Sequence, residues 1–116
     1  MFLENVKRGS LEGATTDFII DSVLLVMEKE GEKPRQLSLF LSSILGYKSL
    51  LLHFLSLYDR LEATKHMQSF SIDFDDSTTY QAMKNLGVDQ VVSFDKDFDR
   101  ISSIKRIEPR DALGKI

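Results

Sequence analysis

Cysteine is absent from this chain, which excludes disulfides and thiolate metal sites and fits a cytoplasmic, reducing setting. Histidine is scarce: His53 and His66 have no partner at metal-ligand spacing, so both read as structural or surface residues and a histidine-built zinc site is disfavoured. An excess of positive charge is also missing. With a net charge of −3, no global basic field draws the chain to nucleic acid. A nucleic-acid function then needs a local basic patch, a metal bridge or a partner's charge. No stretch approaches the roughly 18 consecutive apolar residues of a membrane span. Residues 1–9 carry an acid early and have no apolar centre, so a signal peptide is not expected. Internal repeats and low-complexity tracts are lacking, and the two prolines, Pro34 and Pro109, lie outside the apolar runs.

What is present is the composition of a globular domain. The 116 residues are 42% hydrophobic and 28% charged, enough for a single domain spanning residues 1–116 around one core. Phe2, Leu3 and Val6 share one helical face and Gly9 follows as a stop, as at the end of a helix. Leu11 to Thr16 reads as a short strand, with Asp17 as the cap of the next helix. That helix carries Phe18, Ile19, Ile20, Val23, Leu24, Val26 and Met27, too dense for one stripe, which predicts burial on most of its circumference. Pro34 opens a further helix with Leu37, Phe40, Leu41, Ile44 and Leu45 at helical spacing, and Gly46 ends it. Ser49 to Phe54 reads as a buried strand, Leu57 to Ser69 as a helix, Asp76 to Leu86 as another closed by Gly87. Val88 to Phe94 and Ile104 to Ile107 read as strands. Strands alternating with helices imply an α/β fold with a mostly parallel sheet, and in such sheets ligands bind beyond the carboxyl ends of strands.

Two acidic clusters stand where such a site would form. One is Asp73-Phe74-Asp75-Asp76, just before a helical pattern. The other is Asp95-Lys96-Asp97-Phe98-Asp99, where a β-type run ends. An acid opening a helix beside an acid ending a strand is a common grip on a hard divalent cation. Taken alone, Asp75 and Asp76 before Ser77-Thr78-Thr79 read first as helix caps and dipole complements, and the two clusters in order for one crevice move the reading toward a metal site; Asp73 reads as loop polarity and Asp99 as solvated surface. Met27, Met67 and Met83 read as core filler.

The stretches Phe74-Asp75-Asp76-Ser77, Met83-Lys84-Asn85-Leu86-Gly87-Val88-Asp89 and Ser93-Phe94-Asp95-Lys96-Asp97-Phe98-Asp99 resemble the second half of a PIN-domain nuclease. Ile101 and Ile104 to Ile107 resemble that family's short closing strand. Residues 11–21 match its second strand and following helix more loosely. The resemblance implies a three-layer αβα fold with a mostly parallel sheet and a magnesium- or manganese-dependent ribonuclease, a hydrolase of RNA. Many members are VapC-type toxins of toxin-antitoxin pairs. It carries over Asp76 and Asp95 as catalytic, metal-binding acids and Asp97 as a further ligand. It also implies RNA as substrate, a cognate antitoxin as partner and a possible homodimer.

Two departures accompany the match. No segment of the type hydrophobic-Asp-Thr-Asn, the family's first strand, is found. Ser22-Val23 stands where a second acid is usual, and Asp21 one residue earlier would be turned by roughly 100° on a helix. The first strand lies mid-sheet in the family, so its lack is expected to leave strand edges unpaired. A truncated chain, a strand supplied by a second chain and a smaller closed-up sheet are the three explanations. The function expected is therefore a PIN-like ribonuclease scaffold impaired in the chain as given. The alternative is a non-catalytic remnant serving as a protein-interaction module; a DNA-binding regulator is the weakest reading, for an acidic chain without a recognition helix. Metal would lower the pKa of an attacking water and neutralise phosphate charge, while Lys96, Arg100, Lys105 and Arg106 surround the second cluster as candidate phosphate contacts.

Overall fold

The computed structural model describes residues 13–109, so the expected helix end over residues 2–9 lies outside the described residues. The chain gathers into two compact units that divide after Phe54.

The first unit comprises β1 (Gly13–Thr16), α1 (Asp17–Lys29), α2 (Pro34–Leu45) and β2 (Leu50–His53). β1 and β2 pair in parallel, from Gly13 opposite Leu50 to Thr16 opposite His53. A parallel pair needs a long crossover, and the two helices provide it. Thr16, not Asp17, caps α1: its Oγ1 accepts a hydrogen bond from the Ile19 amide at 3.1 Å. Asp17 falls in the first turn, where its charge complements the helix dipole. Pro34 begins α2 as expected, and the Gly46 amide donates to the Ser43 carbonyl at 3.1 Å to close it.

The expected deep burial of α1 is not found. None of its residues is buried, and Leu25 is 66% exposed. β2, expected to be a buried strand, has Leu51 exposed. Among the described residues of this unit Thr16 is the buried one. The physical reason is layer count: two strands and two helices form one apolar interface, and the far side of each element meets nothing within the unit to cover it.

The second unit holds α3 (Leu57–Phe70), α4 (Phe74–Leu86), β3 (Gln90–Val92), a 3₁₀ helix (Lys96–Arg100) and β4 (Lys105–Ile107). β3 and β4 are parallel, with Val91 opposite Arg106 and Val92 opposite Ile107. A reciprocal cap starts α3: the Asp59 amide donates to Ser56 Oγ at 3.0 Å and the Ser56 amide to Asp59 Oδ2 at 2.9 Å. Gly87, at φ +69°, ends α4 in the left-handed region that glycine occupies without steric cost.

The core of this unit is built from Ala63, Ile72, Met83, Phe98, Ile101 and Ile107 together with the buried hydroxyl residues Ser77 and Thr78. A polar seam joins α3 to α4. His66 Nε2 and Gln81 Oε1 are 2.8 Å apart, and the Gln81 amide donates to Asn85 Oδ1 at 3.1 Å and to Asp59 Oδ1 at 3.4 Å. Asn85 in turn donates to Asp59 Oδ1 at 3.0 Å, and the His66 ring stands edge-on to Tyr80. His66 is thus a structural residue whose ring nitrogen is already engaged.

The architecture is mixed α/β, and both described strand pairs are parallel. They form two separate two-stranded sheets, one in each unit. The strand expected over Val88–Phe94 is shorter because Ser93 turns the chain, its Oγ accepting from the Asp95 amide at 3.0 Å.

Candidate metal centre

Three acids of the second unit converge. Asp76, Asp95 and Asp97 each place a carboxylate oxygen within 4.8 Å of the others. Opposite oxygens around an ion with bonds of about 2.1 Å stand about 4.2 Å apart, so the spacing is close to that of one shared cation.

Local sequence explains each position. Asp73 is the N-cap of α4, its Oδ1 accepting from the Asp76 amide at 2.9 Å. This sets the first turn so that Asp76 faces inward with Ser77 and Thr78, while Asp75 faces solvent. Asp95 follows β3 at its carboxyl end and caps the 3₁₀ helix, its Oδ1 accepting from the Asp97 amide at 2.9 Å. Asp97 sits in the first turn of that helix and pairs with Arg100 at 3.5 Å.

The three acids differ in their surroundings. Asp76 is only 7% exposed, and its Oδ2 is buried with no hydrogen-bond partner among the described residues. Burial, a hydrogen bond with Asp95 and the negative charges of Asp73, Asp95 and Asp75 push its pKa up to about 7. A carboxylate cannot donate to a carboxylate, so the bond between Asp76 and Asp95 requires a proton on the pair, while Oδ2 itself has no partner among the described residues. Asp95 lies below the usual carboxylate range, held there by the Asp97 amide, then by the Asp76 carboxyl and by Arg100 and Arg106. Partial loss of water on one side, together with the charges of Asp73 and Asp95, raises Asp75.

The donor set is all oxygen, and the buried orphan is a position that a proton or a cation would satisfy. Both facts fit Mg²⁺ or Mn²⁺, which prefer oxygen ligands and tolerate few protein donors. Asp21 is not among the three convergent acids; it is an exposed residue of α1 in the first unit, next to Ser22.

The basic residues have other work than expected. Arg106 donates from Nε and Nη2 to both oxygens of Asp99 (3.1 and 3.3 Å) and from Nη1 to the Ser93 carbonyl at 3.2 Å. Arg100 donates to the Ser71 carbonyl. These two side chains bind the protein to itself; Lys96, between Asp95 and Asp97 in the chain, is left as an exposed cation at the cluster, while the exposed Lys105 lies opposite Gln90 at the start of β3, the end away from Asp95. Asp99 is exposed, as expected of solvated surface, and is also the arginine's bidentate partner. Asp73, expected as loop polarity, is the cap, and the Asp-x-x-Asp spacing with Asp76 was the signal for it.

Comparison of the chain with protein-family models, curated proteins and solved structures returns no match. Among the described residues, no helix is long and apolar enough to cross a membrane.

Proposed function

We propose that the second unit carries the divalent-cation site of a PIN-like, metal-dependent ribonuclease scaffold. The observation that carries this reading is the buried, unpartnered Asp76 Oδ2 inside a three-carboxylate cluster at the end of a parallel strand. Asp76, Asp95 and Asp97 would hold Mg²⁺ or Mn²⁺. When bound, such an ion supplies a water of lowered pKa and charge neutralisation at a phosphodiester. The chain's own contribution is to aim Asp76 from a capped helix, to hold Asp95 through the Asp97 amide, and to offer the exposed Lys96 to a substrate phosphate. RNA as substrate, a cognate antitoxin as partner, a second copy of the chain as partner and the cytoplasm as compartment belong to this reading. So does the finer fold, a three-layer αβα with one mostly parallel sheet. It would require the pairs β1–β2 and β3–β4 to share a further strand, and each pair leaves edges at which one could bond.

A second reading, a non-catalytic interaction module, draws on a different observation. Leu57, Tyr58 and Leu61 form an exposed apolar strip along α3 beside Phe74, while α1 and α2 expose Leu25, Leu39 and Leu45. Surfaces of this kind mark sites of contact with other molecules.

Titration calorimetry with Mn²⁺ on the full chain and on the Asp76→Asn/Asp95→Asn double variant separates the two. The cation-site reading expects weak binding by the parent that the double variant loses, with little cleavage of single-stranded RNA. With three convergent acids and no fourth among the described residues, few ligands fix an attacking water. Equal heats from both proteins would reduce the acids to capping groups and leave the interaction module. Robust Mn²⁺-dependent cleavage abolished by Asp95→Asn would show that the three acids suffice.

A further inference from the structure

We infer that Arg106 is the positioning residue of the acidic cluster, holding the segment that carries Asp95 and Asp97 in the geometry a cation needs; the inference rests on the cation-site reading above. The segment runs from Ser93 to Asp99. Its internal hydrogen bonds are local, from the Asp95 amide to Ser93 Oγ and from the Asp97 amide to Asp95 Oδ1. They shape the turn without themselves fixing it to the rest of the unit.

The Ser93 amide, donating to the Ile107 carbonyl at 3.0 Å, and the buried Phe98 ring tie the segment to the unit, and Arg106 adds a side-chain tie at both ends. It lies in β4, opposite Val91 of β3, and its guanidinium reaches the carbonyl of Ser93, the first residue of the segment, at 3.2 Å. The same guanidinium grips both oxygens of Asp99, the last residue, at 3.1 and 3.3 Å. A second acid, Glu108 on its own chain segment, stands 3.6 Å from Nη1. One planar group thus spans the first and last residues of the acid-bearing turn. Exposed ion pairs contribute little in general, but the bidentate fork is the exception, and here the arginine side chain is only 13% exposed. Lysine, a single point donor, cannot bridge a carbonyl and two carboxylate oxygens together. Arg100, by contrast, is 52% exposed; it makes a single contact with Asp97 at 3.5 Å and donates to the Ser71 carbonyl, so it does not bridge the two ends of the turn.

Partners that orient ligand groups without touching the ion typically change metal affinity by about 10–100-fold when removed. The test titrates Mn²⁺ alone into the full chain, comparing parent, Arg106→Gln, Arg106→Lys and Asp99→Asn at a temperature where circular dichroism shows each folded. Affinity is expected to fall about 10-fold or more in Arg106→Gln. Arg106→Lys should not rescue it, and Asp99→Asn should fall between. Gly87→Ala serves as the comparison for stability, because it loosens α4 without touching the turn. It should lower the melting temperature and leave Mn²⁺ affinity near the parent's, a split that a merely structural role for Arg106 would not produce.

A second readout does not involve metal. Amide exchange of Asp97, whose N–H is bonded to Asp95, should accelerate in Arg106→Gln relative to the amides of α4. Unchanged exchange at Asp97, or parent-like Mn²⁺ affinity in Arg106→Gln, would overturn the inference while leaving the cation site intact. If the parent and the Asp76→Asn/Asp95→Asn variant respond alike to Mn²⁺, the cation site fails and Arg106 has nothing to position. An Asp97 exchange effect would then record only a structural clamp.

Discussion

With Asp76 buried beside Asp95, raising the pH ionises a group that has little water to receive its charge. Its pKa rises from 3.8 to about 7 on folding. Stability from a raised acid is present in full below the unfolded value and is lost as pH climbs through the folded one. Asp95 runs the other way: its lowered pKa gives stability that is lost only as pH falls below the ordinary carboxylate range. Between about pH 4 and pH 7 the Asp76 effect therefore governs the pair. Without divalent ions, the melting temperature of the parent minus that of Asp76→Asn should fall across this window and level off above it. Mn²⁺ added above the window should restore much of the loss in the parent and little in the variant. Thermal melts at a series of pH values check both; a pH-independent difference would mean that Asp76 is hydrated in solution.

At the scale of elements, the caps make the next test. Asp73→Ala removes the α4 cap and should cost about 1 kcal/mol in urea denaturation. Asp73→Ser keeps an acceptor while deleting a negative charge beside Asp76, so at neutral pH it should be clearly milder. Gly87→Ala places a side chain at φ +69° and should cost about 1 kcal/mol, although the space around it is open. In the seam, Gln81→Leu deprives His66, Asn85 and Asp59 of a shared partner and should cost about 2 kcal/mol. The elements themselves were legible wherever punctuation was strong. Pro34, Gly46 and Gly87 mark helix ends within a residue of where they fall. The convergence of Asp76 and Asp95 was also legible, because one begins a helix and the other follows a strand. What was not legible depends on contacts that cross from one element to another. The Arg106–Asp99 fork and the His66–Gln81 pair join residues whose spacing carries no periodic signal. Apolar density in α1 stated what the helix is able to bury, and burial itself depends on how many layers surround it.

Taken whole, the molecule is unevenly built. The buried residues from Leu55 onward include Ala63, Ile72, Thr78, Phe98 and Ile101, whereas residues 13–54 contribute Thr16. Backbone opening should follow that difference, since local stability tracks buried contact. Hydrogen exchange followed by mass spectrometry is expected to show amides of α3 and α4 protected well beyond those of α1 and α2. Equal protection in both would mean that the first unit is covered in solution by something that holds it closed.

Phe54 stands at the junction of the two units, exposed and outside any helix or strand. To an endopeptidase that prefers aromatic residues, it is an invitation at the peptide that divides the described residues into the two units. The acids, the arginine that spans their turn and most of the packed interior all lie downstream of it. A brief, sparing digestion should therefore release a resistant fragment beginning at Leu55, and Mn²⁺ should slow further trimming of that fragment without slowing the first cut.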